Sequence, residues 1–140
     1  MRRLADMFTT DFNPGLIDGY LTIGTRCPYN FPHRLFYVSA LTRSPIQICL
    51  HELLHFYTHQ LIEPFFREAG DLEEHNQFKE ALTVLLNAEF SDLIERNDQG
   101  YPQHRELRDR ILTAWQSGKS VYTIAHETIR EYGALAHQLN

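Results

Sequence analysis

His51 and His55 stand four residues apart, with Glu52 beside the first, in the run His51-Glu52-Leu53-Leu54-His55. On a helix that spacing puts both imidazoles on one face, one turn or roughly 6 Å apart along the axis. Two ring nitrogens so placed can converge on one divalent ion such as Zn²⁺ at about 2.0–2.1 Å. Glu52 falls beside such an ion rather than on it. There a carboxylate can take a proton from water and later deliver it to a leaving group. Five residues thus encode two ligands and a base. With eight histidines among 140 residues, the pattern arises by chance in roughly 3–4% of chains of this composition, so its surroundings must decide.

The surroundings predict a buried helix. Ser44-Pro45 is a start signal, with Ser as N-cap and Pro in the first helical position. Ile46, Ile48, Cys49, Leu50, Leu53, Leu54, Phe56, Tyr57, Leu61 and Ile62 then cover nearly every face, and Pro64 marks the end. Such a helix has little reason to carry two histidines and a glutamate unless they are paired or coordinating. Arg34 to Ser39, β-branched and aromatic, predicts a strand leading into it. Upstream, Asn13-Pro14-Gly15 is a turn and Leu16 to Gly24 favours a strand. Residues 25–33, with Pro28, Asn30 and Pro32, read as a loop, and residues 1–10 as a short helix or a loose terminus.

Downstream, Phe78, Leu82, Leu85, Leu86 and Leu93 predict one helix from about Glu73 to Glu95, broken by Asn97-Asp98-Gln99-Gly100. Pro102 opens another, with Leu107, Ile111, Leu112 and Trp115 as core positions and Ser117-Gly118 as its close. A last helix runs from about Ser120 to the end, with Val121, Ile124, Ala125, Ile129, Tyr132 and Leu135 at helical spacing. The expected fold class is α+β: two or three early strands, then about four helices, in a single domain spanning 1–140.

The stretch from Arg34 to Ile62 resembles the edge strand and active-site helix of zincin metallopeptidases, and its HELLHF core is similar to small single-domain gluzincins. The resemblance covers residues 34 to 90. It implies a zincin-like fold, a zinc cofactor held by His51 and His55, Glu52 as general base, and peptidase activity. In gluzincins the third ligand is a glutamate from a downstream helix, in surroundings like Glu-Gly-(Leu/Phe)-Ala. Lys79-Glu80-Ala81-Leu82-Thr83 matches that shape, which makes Glu80 the expected third ligand. Glu89 competes, because Asn87-Ala88-Glu89-Phe90-Ser91-Asp92 resembles the Asn-Glu-x-x-Ser-Asp pattern of thermolysin-like enzymes with one residue missing. Nine residues separate the two glutamates, about 900° of rotation, so a regular helix can offer only one of them, and Glu80 is preferred. His59 lies about 12 Å along the helix from His51, too far to share the ion. Metzincins solve this by breaking the helix at a Gly and placing a His where Leu61 stands here, so His59 is expected beside the ligands or on the surface.

Two histidines and a glutamate leave one position open, as catalytic rather than structural zinc requires. Zincin peptidases often add a Tyr or His that stabilises the developing oxyanion. Tyr122 and His126 are the first candidates here, then Tyr101 and His104, although ordinary packing or surface exposure is the favoured reading of each. Thr83 and Asn87 lie on the face of Glu80, where they could orient ligands or simply pack. Either Met1 to Asn13 or the tail after Tyr132 could cover the cleft. Two other functions compete with a peptidase: a non-catalytic zincin-like binding domain, against which an intact Glu52 speaks, and a metal hydrolase acting on a non-peptide substrate.

Composition narrows the partners. Hydrophobic residues make up 43% and charged residues 22%, as in an ordinary globular chain. The net charge of −5 argues against a phosphate-backbone binder. Arg2-Arg3 and Arg105, Arg108 and Arg110 read as solvated faces. Cys27 and Cys49 are too few for a disulfide framework and form no CxxC; Cys49 reads as a buried thiol. No run approaches about 18 apolar residues, and Met1-Arg2-Arg3 lacks a following apolar stretch, so neither a membrane span nor a secretory signal is expected. The expected setting is a reducing cytoplasm. The expected partner is a peptide or protein substrate, with no nucleic acid and no membrane.

Overall fold

Alternation shapes the sheet. In β3 (Leu35–Ser39), Phe36 and Val38 point inward and are buried, while Leu35 and Tyr37 are half-buried. β1 (Asp18–Thr22) pairs parallel with β3 and β2 (Tyr29–Asn30) pairs antiparallel, giving the order β1-β3-β2. The stretch expected to be loop therefore supplies a two-residue strand. Gly19 lies opposite Phe36, whose ring would stand 3.3 Å from a Cβ there, so the close approach favours glycine. β1 is an edge strand whose Leu21 is 79% exposed, as is the following Ile23 at 86%.

The structure, a computed structural model, describes the backbone of residues 2–138 and the side chains of residues 2–131. Its helices are α1 (Arg2–Met7), α2 (Pro45–Leu61), α3 (Glu63–Glu68), α4 (Leu72–Leu82), α5 (Val84–Glu89), α6 (Arg105–Gln116) and α7 (Val121–Gln138), with a 3-10 turn at Pro102–His104 before α6. The class is α+β, with more helices than the four expected. None of the described helices is long and apolar enough to cross a membrane.

α2 sits between two apolar clusters. Leu50, Leu54 and Tyr57 face the larger one, built with α1 and α3 to α7. Phe56 faces Phe36 and Val38 of the sheet, and Leu53 touches both clusters. Ser44 occupies the N-cap position but makes no side-chain capping bond; its carbonyl accepts from the Ile48 N–H at 3.2 Å, and Pro45 needs no acceptor. Pro64 does not simply end this helix. It lies in the first turn of α3, where its missing N–H leaves nothing unsatisfied.

The N-terminal segment is helical and built into the core. Leu4 and Met7 are buried, and Phe8 stacks on Tyr57 with ring centroids 5.5 Å apart. Arg3 pairs with Asp92 at 2.9 Å. This anchorage argues against a removable cover at this end. The side chains of the tail after Tyr132 lie outside the described residues.

The single helix expected over 73–95 is instead two, parted at Thr83. The Thr83 hydroxyl donates to the Glu80 carbonyl at 2.8 Å, and the Leu86 N–H bonds back to the Thr83 carbonyl, a tightened turn of three. After Phe90 the Leu93 and Ile94 N–H groups both turn back to the Phe90 carbonyl. The bend redirects the chain so that the 97–100 loop can return towards α2.

Candidate metal centre

α2 and α4 bring three ligand-type side chains together. The ligand atoms of His51, His55 and Glu80 all lie within 4.8 Å of one another. His55 Nε2 is 3.3 Å from Glu80 Oε1, and His51 Nε2 is 3.7 Å from Glu80 Oε2. A tetrahedral ion with bonds of about 2.0–2.1 Å needs donors about 3.3–3.4 Å apart; the two separations to Glu80 lie near that value, so this donor set could hold a metal ion. The four-residue spacing sets the two imidazoles edge to face, centroids 4.3 Å apart.

Burial and charge tune each group. Burial is the largest influence on His55, which is 1% exposed; with the charge of His51 it outweighs Glu80 and lowers the imidazole to about 4. His55 is therefore neutral near pH 7, as a ligand must be. Burial also opposes charge on Glu80, but the hydrogen bond from His55 and the charges of His55, Lys79 and His51 hold its carboxyl down at about 2. At His51 burial is overcome by the Asp98 hydrogen bond and by the charges of Glu52, Glu80 and Asp98, and its pKa is raised.

Glu52 differs from both. It is 6% exposed, and its Oε2 is buried without a hydrogen-bond partner. Burial, with Glu80 adding and His51 and Lys79 opposing, raises its carboxyl to about 7. A buried carboxylate left unpaired is costly to the fold, so its place calls for another explanation. A cleft of about 340 Å³, lined by Cys27, Thr42, Gln47, His51, Glu52 and Asp98 among others, reaches the same point.

Sequence reasoning missed Asp98, taken only for part of a helix break. Its Oδ2 lies 3.5 Å from His51 Nδ1, the nitrogen turned away from Glu80. Carboxylates in this position fix the tautomer and direction of a ligand imidazole. Asn87 holds the loop in place: its side chain accepts from the Asp98 N–H at 2.7 Å and donates to the Asp98 carbonyl at 3.0 Å. Arg108 was also misjudged as solvated. It is 5% exposed and lies 3.4 Å from Asp98 Oδ1. Neither role was visible in the sequence, because both depend on contacts across a bend.

Lys79 and Tyr29 complete the surroundings. Lys79 is buried, with Nζ 3.4 Å from Glu80 Oε1 and 2.8 Å from the Tyr29 hydroxyl. It also stands over the Tyr29 ring, 4.9 Å from the centroid, and that ring meets His55 at 5.9 Å. A lysine one residue before an expected ligand was the available signal, but strand β2 was not expected to bring a partner to it.

The other candidates lie elsewhere. Tyr122 and His126 pack on Phe65 of α3, with ring centroids 5.9 and 4.8 Å away. Glu89 accepts a hydrogen bond from Trp115 Nε1 at 2.7 Å, so it is bound to α6 rather than turned to the histidines. His59 stacks flat on Phe31 at 4.1 Å and pairs with Glu63. His104 is buried against Gln77, 2.5 Å from Oε1, with the exposed Tyr101 edge-on to it. Cys27 and Cys49 are both free thiols; Cys49 is half-buried, and its pKa is raised by burial. Compared with known protein families, with curated proteins and with solved structures, the chain matches none.

Proposed function

We propose that this chain is a zinc-dependent hydrolase of zincin-like fold that cleaves peptide bonds. The observation that carries the reading is the meeting of His51, His55 and Glu80 beside a buried, unpaired Glu52 at the end of an open cleft. Two imidazoles and one carboxylate would hold the ion and leave a position for water and substrate. A zinc ion bound there supplies Lewis acidity, polarising a carbonyl and making water easier to deprotonate. Glu52 accepts the water proton and passes it to the departing amine. Asp98 holds the His51 ring in the orientation the site needs. The Tyr29 hydroxyl, supported by Lys79, is better placed than Tyr122 or His126 to donate to the oxygen that gains charge. The two free thiols suit the proposed reducing cytoplasm.

The test has two parts. Purified protein is assayed for bound metal, and then for cleavage of a denatured protein library. The expected result is about one zinc per chain and hydrolysis that a chelator or Glu52→Gln stops. A chain that retains no divalent metal at neutral pH overturns the reading. Zinc retention with no cleavage of any peptide moves the reading to a non-peptide substrate or a binding role.

A further inference from the structure

The ligands come from two separate stretches of chain, and one buried side chain touches the supports of both. Arg108 Nη1 donates to Thr83 Oγ1 at 2.7 Å, and that hydroxyl donates to the carbonyl of Glu80 at 2.8 Å. Its Nη2 donates to the carbonyl of Asp98 at 2.7 Å, and Asp98 Oδ2 faces His51. One guanidinium thus stands between the turn that ends behind Glu80 and the loop that orients His51. The backbone is shaped to admit it: Gly100 has φ +59°, and a Cβ there would lie 2.5 Å from Arg108 Nη1. Burying a guanidinium is expensive unless most of its donors are used, and its fixed fork can bridge two acceptors where an ammonium serves as a point charge.

We propose that Arg108 is a positioning residue that fastens the His51 arm to the Glu80 arm and so sets the metal affinity of the site. This inference rests on the zinc reading above. It follows that Arg108 and Asp98 act as a unit, and that breaking either loosens the same ligand pair. A cavity of about 340 Å³ is lined by both Arg108 and Asp98. A small cation can therefore reach the space that a truncated side chain leaves.

The test measures zinc affinity by competition with a chelating dye, for wild type, Arg108→Ala, Arg108→Lys, Asp98→Asn and the Ala/Asn double variant. Loss of an outer partner of this kind weakens zinc about 10- to 100-fold, so Arg108→Ala is expected in that range. Arg108→Lys, which keeps the charge and loses the fork, should recover only part of it. The double variant should bind within about threefold of Arg108→Ala alone, because coupled sites do not add. Millimolar guanidinium should restore zinc binding to Arg108→Ala, an effect that loss of general packing would not give. Thr83→Val, nearly equal in volume, carries the test if the Arg108 variants do not fold, with an expected loss of about three- to tenfold. A wild type that binds zinc while Arg108→Ala or Thr83→Val binds it within twofold overturns the inference and leaves the function standing. A wild type that binds no zinc overturns both.

Discussion

Replacing Glu52 with Gln should make the metal-free fold more stable while ending hydrolysis. Glu52 is buried and its Oε2 lacks a partner, so its ionised form is opposed mainly by burial. The gap between an unfolded value of 4.5 and a folded value of about 7, at about 1.4 kcal/mol for each tenfold, amounts to about 3 kcal/mol. A folded pKa above the unfolded one means that this stability is fully present below pH 4.5 and lost as pH rises through about 7. Glutamine keeps the shape and removes the charge, but its amide inherits the unpartnered position at a cost of about 1 kcal/mol. The net expectation at pH 8 is a gain of about 2 kcal/mol, or about 5–8 °C in Tm for a chain of this size. Below pH 4.5 the gain should vanish. Denaturant unfolding of chelator-treated wild type and variant at pH 4, 6 and 8 checks it, with hydrolysis assayed on zinc-loaded samples. A variant no more stable than wild type at pH 8, or one whose advantage does not change with pH, refutes the argument that Glu52 is held ionisable against the interest of the fold.

Three further outcomes follow from the same geometry. Glu80→Gln should weaken zinc binding at least 100-fold, whereas Glu89→Gln should leave it within twofold and instead shift Trp115 fluorescence, since Glu89 accepts from the indole. Tyr29→Phe should lower kcat about 10- to 100-fold with KM nearly unchanged, while Tyr122→Phe, packed on Phe65, should change either by less than twofold; steady-state kinetics on one peptide decides. In the Glu52→Gln background, metal-free stability should fall as pH drops from about 6.5 to about 4, because unfolded His55 takes a proton that the folded ring refuses. His75, which burial also lowers to about 4, falls in the same window, so His55→Gln should remove only part of that loss; it should also shrink the loss below pH 4.5, because Glu80 owes its low value first to His55, as unfolding titrations would show.

What could be read from the chain was whatever its local spacing carries. His51 and His55 face together because four residues make one helical turn, and Phe36 and Val38 face inward because a strand alternates. Ser44-Pro45 marked a helix start, although the capping bond expected of Ser44 is not made. Pro64 was ambiguous, since the residue that stops one helix is equally suited to the first turn of the next. The bend at Thr83 was illegible: its hydroxyl is held by Arg108, 25 residues on, and periodicity alone reads straight through it. Asp98 looked like turn chemistry because Asp-x-Gly usually is that, and its side chain does accept from the Gly100 N–H at 2.7 Å. Its second oxygen, facing a histidine 47 residues away, follows only from the folded path. Tyr122 and His126 were chosen for chemistry and helical spacing, and neither criterion says which neighbour a helix will meet.

The margin of the sheet has a practical consequence. β1 shows its unpaired side to solvent with Asp18 as its only charged residue, and Leu21 and Ile23 stand uncovered at its end. Natural edges are usually blunted by lysine, proline or a bulge, and an unguarded one invites strand-to-strand self-association as concentration rises. Preparations should therefore cloud at high protein load sooner than the net charge of −5 would suggest. A single lysine in place of Leu21 should keep them clear.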